Sequence, residues 1–420
     1  MLKETLLVLN PWWKTGKVSK ELSKPYKRKA FQKLLDLLEY RHTTIISGLR
    51  RVGKTTLMYQ AIEFLLKRHN PLEVMYFNFD KGAENLTELL NMYSELTKLD
   101  WKKNKVYVFL DEIVKLKSWP EEIKLLYDAF PNLKFVLSSS SSVGLERDAM
   151  SNLAGRHFMI NLKPLEFEEY LELRGKEKLV KNPGVFEEEL KKEFERYLMR
   201  SFPEIVNWED ENLIKDYLKS MVIDKVIKVD IAEKFRNINK NLLFQLLNIF
   251  YSEPGAMINL DSLSRELRIS KKTLINHIFY LEFSYLIRKV KNFRPSTFAT
   301  SRKMQKVYAY WWNLLYCYTE NKDKIMENFV ASTLDTKYYW RKGRNEVDFL
   351  AGKKKELIPV EVKNRERVGK ESIRGLLNFL KKYPTDGYVI YNGEKKRKFD
   401  EKKLTYLPFW KIAIHPNLKS

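Results

Sequence analysis

One cysteine, Cys317, stands in 420 residues, which rules out an intrachain disulfide and a cysteine-rich zinc site. That scarcity fits a reducing compartment, and the expectation is a cytoplasmic protein. No apolar run approaches membrane-spanning length, so no partnership with a membrane is expected. The opening Met1-Leu2-Lys3-Glu4 does not read as a secretory signal. Acidic residues are also short: 54 Asp and Glu face 77 Lys and Arg, a formal net charge of +23. An excess of that size favours polyanions, nucleic acid first, because phosphate neutralisation by Lys and Arg drives such binding. The competing reading is a solubilising, thermophile-like surface. The excess is uneven, since residues 301–420 carry 27 Lys and Arg against 14 Asp and Glu, a net +13. The 44% hydrophobic content is ample for the cores of two or three domains.

What is present begins with Gly48-Leu49-Arg50-Arg51-Val52-Gly53-Lys54-Thr55, which matches G-x-x-x-x-G-K-[ST]. Thr43 to Ser47 reads as a short buried strand before it. From Thr55 to Arg68 after it, apolar residues at Leu57, Met58, Ala61, Ile62, Leu65 and Leu66 have helical spacing. A strand-to-helix loop of this kind lets backbone N–H groups approach phosphates, while the helix N-terminus favours their charge. The expected nucleoside triphosphate site comprises Gly48, Arg50, Arg51, Val52, Gly53, Lys54, Thr55 and Thr56. Lys54 would reach the β- and γ-phosphates, and Thr55 would offer its hydroxyl to Mg²⁺. The bland alternative is a glycine-containing turn that binds nothing.

Val106 to Leu110 is an apolar run ending in Asp111-Glu112, the form of a buried parallel strand that delivers acids to the sheet's C-terminal edge. Asp111 would hold Mg²⁺ through water, and Glu112 would orient or deprotonate the attacking water. Alone, the pair also fits a solvated strand end. A further strand, Phe135 to Leu137, opens into Ser138 to Ser142, either a sensor of the γ-phosphate or a flexible serine loop. Arg156, after Leu153-Ala154-Gly155, is either a surface arginine or a finger that neutralises transition-state charge in its own site or a neighbour's.

These residues resemble the archaeal and bacterial ATPases of the extended AAA+ and STAND group. In that group a GxRRxGKT loop, a strand ending LDEI, a serine-rich sensor strand, an LAGR segment and a Pro-Leu-x-Phe-x-Glu-Tyr block occur in this order. Here they are Gly48 to Thr55, Leu110 to Ile113, Ser138 to Ser142, Leu153 to Arg156 and Pro164 to Tyr170. The resemblance implies an ATPase core whose nucleotide is ATP. The sensor departs from the frequent Thr-Gly-Ser-Ser in holding only serines.

The middle of the chain is expected to be helical, over Phe186 to Leu198 and Leu213 to Val229. Three further helices are expected at Asn241 to Tyr251, Leu260 to Leu267, and Ser270 to Phe283 with Ser270 as N-cap, then a strand at Leu286 to Phe293. Three helices and a basic ribbon make a winged helix-turn-helix. It either binds DNA or packs as a lid on a nucleotide domain. In the DNA reading Ser270, Lys271, Lys272, Thr273 and Asn276 face the major groove, and Arg288, Lys289 and Lys291 the phosphates.

In the last third, strands are expected at Lys337 to Arg341, Glu346 to Leu350 and Leu357 to Lys363, then a helix from Lys370 to Lys382 and a strand from Gly387 to Tyr391. Glu361 and Lys363, two apart, share a face. Asp348 on the neighbouring strand would join them, giving two carboxylates for Mg²⁺ and a lysine beside the attacking water, with Glu327 supplying another oxygen. The plain alternative is a strand with its charged face in water. The order of these elements resembles the PD-(D/E)XK nuclease superfamily. Their place after an ATPase and a winged helix is similar to the DUF4143-type region of many prokaryotic AAA-like ATPases. Both resemblances imply a nuclease-like fold that cleaves DNA or only binds it.

The fold class expected is α/β: a P-loop ATPase domain with a parallel sheet over 1–170, a helical lid and winged helix over 171–300, and a small restriction-endonuclease-like α/β domain over 301–420. The function expected is an ATPase, with ATP and Mg²⁺ as cofactors and DNA as partner, coupled to a DNA-binding or DNA-cleaving domain. The alternatives are a nucleotide-dependent switch and a winged-helix transcription regulator. A homo-oligomer is expected if Arg156 serves a neighbour's site.

Overall fold

The computed structural model describes residues 2–139, 153–235, 238–294, 305–352, 357–393, 397–399, 404–415 and 418. The chain forms two compact units, Met1–Pro164 and Leu165–Ser420.

The first unit is built on a parallel sheet of β1 (Thr43–Ser47), β2 (Val74–Asn78), β3 (Val106–Asp111), β4 (Leu133–Ser139) and β5 (His157–Asn161), in the order β2-β3-β4-β1-β5. β1, β3 and β4 are buried along their whole length, as continuous apolar runs covered on both faces must be. The chain leaves β1 for the far edge and returns through β3 and β4. The switch in strand order therefore falls beside β1, at whose C-terminal end ligands of such sheets bind.

The open edge of β2 would present unpaired backbone groups, a template for unwanted pairing. The N-terminal segment covers it. Asn10 Nδ2 donates to Tyr76 O at 2.9 Å, and the Tyr76 N–H returns a bond to Asn10 Oδ1 at 2.7 Å. The indole N–H groups of Trp12 and Trp13 both donate to Val74 O at 2.9 Å.

At the other end of the sheet, the buried Lys134 ammonium ends the helix Ala30–Leu38. It donates to Leu37 O and Tyr40 O at 2.7 Å, to Thr44 Oγ1 at 3.2 Å and to His42 O. Lys134→Met keeps the stem and strands these oxygens, at a cost of about 3 kcal/mol. Thermal denaturation should show this unit melting roughly 6–12 °C lower; an unchanged transition would mean that water replaces the ammonium.

The second unit opens with helices at Phe167–Leu173, Glu187–Met199 and Glu211–Tyr217, the last running on through wide π turns at Leu218–Ile223 and Val226–Ile231. Helices Lys240–Ser252, Leu260–Glu266 and Lys271–Phe283 follow, and Ser270 Oγ accepts the Thr273 N–H as the N-cap of the third. A mixed sheet then takes in β6 (Ile287–Asn292), β7 (Gln305–Ala309), β8 (Tyr338–Lys342), β9 (Asn345–Ala351), β10 (Ile358–Lys363), β11 (Gly387–Tyr391), β12 (Arg397–Phe399) and β13 (Leu404–Pro408). Their order is β12-β13-β11-β10-β9-β8-β6-β7. The strand after the helix trio thus pairs with β7 on one side and β8 on the other, so one sheet runs across position 300. β10 and β11 are parallel and joined through the helix Arg374–Lys382. Gly375 lets that helix touch β9, because a Cβ there would lie 1.8 Å from Glu346 O.

Candidate functional site

The phosphate loop follows β1 and opens the helix Lys54–Leu66. Its backbone needs glycine twice. Gly48 has φ 151° and a Cβ there would lie 2.2 Å from Leu162 O, while Gly53 has φ 95°. Lys54 is buried, and its Nζ donates to Gly48 O at 2.9 Å and Leu49 O at 3.1 Å. The ammonium therefore lies across the mouth of its own loop, where phosphate oxygens would replace those carbonyls.

Asp111 gathers four donors. Oδ2 accepts Thr55 Oγ1–H at 2.7 Å and the Tyr76 hydroxyl at 3.0 Å. Oδ1 accepts the Glu112 N–H at 3.1 Å and the Ser138 hydroxyl. Burial, with the Asp111 charge beside it, pushes the Tyr76 phenol far above its usual range and keeps it a donor. Thr55 and Asp111, both singled out from the sequence pattern, meet here. The pattern missed Tyr76 on this carboxylate, because the bond comes from strand pairing, with Asn78 opposite Asp111, rather than from local spacing. The all-oxygen pair of Thr55 and Asp111 fits Mg²⁺. Thr55 would ligate it directly and Asp111 through water.

Glu112 leaves the strand with φ 51° and ψ 41°. A non-glycine residue in the left-handed region is strained, and such strain concentrates at functional sites. The turn breaks the strand's alternation just after Asp111. Of the serine segment, Ser138 and Ser139 end β4, and Ser140, Ser141 and Ser142 lie outside the described residues.

Arg156 is placed away from this loop. Its carbonyl accepts the Thr43 N–H at 2.9 Å, at the end of β1 opposite Gly48, about 16 Å off for a five-residue strand. Its guanidinium forms a two-pronged pair with Asp128, at 2.8 and 3.1 Å. A finger acting on its own site does not fit this position.

In the second unit, β9 and β10 pair antiparallel with Val360 opposite Phe349 and Pro359 opposite Leu350. Glu361 and Lys363 follow on β10, two residues apart and so on one face, with Asp348 next to Phe349 on β9. Lys363 Nζ donates to Glu361 Oε1 at 2.7 Å and stands 3.9 Å from Asp348 Oδ2, which also accepts the Val362 N–H at 2.8 Å. Glu361 is 5% exposed, and its Oε2 is buried without a hydrogen-bond partner among the described residues. Burial first, then the charge of Asp348, pushes its carboxyl up to about 8 even with Lys363 alongside. Burial pulls the Lys363 ammonium down, but Asp348 and Glu361 more than offset that and hold it above its usual value.

Glu327 stands apart from that pair in its bonding. Its Oε1 accepts the Tyr308 hydroxyl at 2.7 Å and lies 3.0 Å from where a Cβ on Gly255 would be. Burial, then Asp348, raises its pKa, against the pull of Lys306. Lys306 itself is buried and pairs with Glu346 at 2.5 Å. Among the described residues no three His, Cys, Asp or Glu side chains form a group fit to hold a metal ion. Of the expected set, Asp348 and Glu361 are brought together with Lys363 reaching both, while Glu327 Oε1 is engaged by Tyr308.

A pH dependence follows. The folded chain keeps a proton on Glu361 that the unfolded chain releases near the ordinary value of 4.5. This contribution to stability is complete below that value and is lost as pH rises through about 8. Without divalent ions, denaturant titrations should show the second unit weakening across this window and Glu361→Gln flattening the decline; equal slopes would refute the raised pKa.

The other residues expected to face DNA divide. Lys272 and Asn276 on the third helix of the trio are exposed, and Lys271 pairs with Asp261 at 2.7 Å. Arg288, expected on a phosphate, is buried and donates to Ala331 O, Tyr310 O and Asp335. Lys289 pairs with Glu282 at 2.5 Å, while Lys291 is exposed.

Residues 40–171 match a family described as an AAA domain. Residues 191–323 and 322–412 match two domains of unknown function, DUF8612 and DUF4143. The chain therefore carries an AAA-type P-loop domain over residues 40–171 and a DUF4143 domain over residues 322–412. An uncharacterized protein of Methanocaldococcus jannaschii is 29% identical over 396 residues, 88% of each chain. Another, from Haemophilus influenzae, is 26% identical over 276 residues, 62% of this chain and 66% of its own. Among solved structures, the Aeropyrum pernix ORC2 protein in its ADP form is similar at 14% identity and TM-score 0.34, over 69% of this chain and 92% of that one. A Pyrococcus horikoshii signal transduction ATPase with a tetratricopeptide repeat sensor is similar at 15% identity and TM-score 0.29, over 74% of this chain and 46% of that one. No helix of the described residues is long and apolar enough to cross a membrane.

Proposed function

We propose that the first unit binds and hydrolyses ATP with Mg²⁺, and that its nucleotide state controls DNA binding by the second unit. The observation that carries the first half is the bond between Thr55 Oγ1 and Asp111 Oδ2 at 2.7 Å, beside a loop held open by Gly48 and Gly53. Lys54 then carries the phosphates, Asp111 orients the metal's water, and Glu112 orients the attacking water. An arginine finger at Arg156 acts on a second copy of the chain. The DNA half rests on the net charge of +23, on the exposed Lys272, Asn276 and Lys291, and on a winged-helix reading of the helix trio with β6 and β7.

Cleavage of DNA by Asp348, Glu361 and Lys363 is the bolder form of this reading, and the unpartnered Glu361 Oε2 favours it. A switch that binds DNA or another partner without cutting is favoured by the Lys363 ammonium near both carboxylates. Duplex, branched and single-stranded DNA incubated with the protein and Mg²⁺, with and without ATP, separates the two. Cleavage lost in Asp348→Asn with ATP turnover intact establishes the first; nucleotide-dependent binding without products establishes the second. Absence of DNA binding even at low salt would remove the DNA half of both readings and leave only a switch for another partner, because a phosphate-driven contact is strongest there.

A further inference from the structure

Arg28 lies before the sheet begins, in the basic segment Lys27-Arg28-Lys29, yet it is 9% exposed. Its Nη1 donates to Val52 O at 2.9 Å, and its Nη2 to Lys163 O at 3.0 Å and Pro164 O at 3.4 Å. One guanidinium therefore joins the phosphate loop to a segment 135 residues from Arg28 in sequence. We infer that Arg28 is a positioning residue for phosphate binding, which holds the Val52–Gly53 peptide so that its N–H faces the ligand.

The argument is one of peptide geometry. Every described peptide bond is trans, and in a trans peptide the C=O and the following N–H point in opposite directions. With the Val52 carbonyl turned to Arg28, the Gly53 N–H points the other way. Gly53 itself stands at the start of the helix Lys54–Leu66, and a Cβ on it would meet nothing within 4 Å. The flipped peptide would present an oxygen to an anion and repel it. Gly53 makes such a flip easy, since glycine tolerates both conformations.

The same segment supports the loop's other end. Leu162 N–H donates to Ser47 O at 2.8 Å, and Leu162 O lies 2.2 Å from where a Cβ on Gly48 would be. Residues 162–164 thus brace Gly48 directly and Val52 through Arg28. A guanidinium suits the second task because its planar fork serves separated acceptors, whereas an ammonium is a compact point charge.

This inference rests on the nucleotide-binding reading above, and the test separates the two. Calorimetric titration of the full chain with Mg-ATP and with inorganic tripolyphosphate, below each protein's melting temperature, is to be run on wild type, Arg28→Met and Arg28→Lys. Arg28→Met should weaken both ligands by the same factor, about ten- to hundredfold, and Arg28→Lys should restore little of it. Should Arg28→Met fail to fold, Arg28→Lys alone decides. Wild-type affinity in Arg28→Lys, or a loss for ATP without one for tripolyphosphate, would overturn the peptide-holding role, since charge alone or a contact to the base would then suffice. Wild type binding neither ligand would instead remove the nucleotide reading itself.

Discussion

Glu112→Gln protein is expected to bind Mg-ATP with wild-type affinity and to hydrolyse it about 10²–10⁴-fold more slowly, the usual worth of a positioned general base. Glutamine keeps the size of the side chain and loses only the capacity to take a proton. The strained backbone at Glu112, with φ 51°, is unaffected by that exchange. Lys54→Ala should fail one step earlier. Its ammonium is buried against Gly48 O and Leu49 O, so its loss removes the charge that meets the phosphates and frees the two loop carbonyls to face them. Titration with a fluorescent ATP analogue beside a phosphate-release assay separates the two outcomes. Wild-type turnover in Glu112→Gln would take that residue out of the reaction.

Lys363→Ala is expected to cost the second unit about 3 kcal/mol near pH 9, because removing one partner of a buried ion pair strands the others. Glu361 and Asp348 would be left facing each other, with Glu361 5% exposed. The cost should shrink near about pH 6, where Glu361, with its carboxyl pushed up to about 8, already carries a proton and needs no counter-ion. Adding Glu361→Gln to Lys363→Ala should recover part of the stability at the higher pH, as expected of residues in one network. A double variant no more stable than Lys363→Ala would show that the lysine acts through packing of its stem.

The legible parts of this fold are those written locally. β1 and β3 follow from apolar runs, the loop from its glycines and lysine, and the trio of helices from periodicity and the Ser270 cap. The meeting of Asp348 and Glu361 at Lys363 needed only adjacent strands and period-two geometry. What escaped the sequence is held by distant pairing. Tyr76 reaches Asp111 because β2 lies beside β3; Arg28 reaches Val52 and Lys163 through the closing of the first unit. Arg288 misled for a physical reason. It shares the buried face of β6 with Val290 and Asn292, whereas Lys289 and Lys291 lie on the opposite, more open face. Arg156 sits at the strand end remote from the loop because β5 runs parallel to β1, and order along the chain does not say which end of the sheet a residue occupies.

Coupling between nucleotide and DNA is the central claim, and fluorescence anisotropy of a labelled duplex tests it most directly. Titrations at one fixed low salt concentration would compare Glu112→Gln held with Mg-ATP, wild type held with ADP, and Lys54→Ala with Mg-ATP. Two sites coupled through two states of the protein should differ in DNA affinity by about 5–150-fold between the first two, and Lys54→Ala should ignore the added nucleotide. The same DNA affinity in all three would contradict the account, leaving an ATPase and a basic second unit with no communication between them.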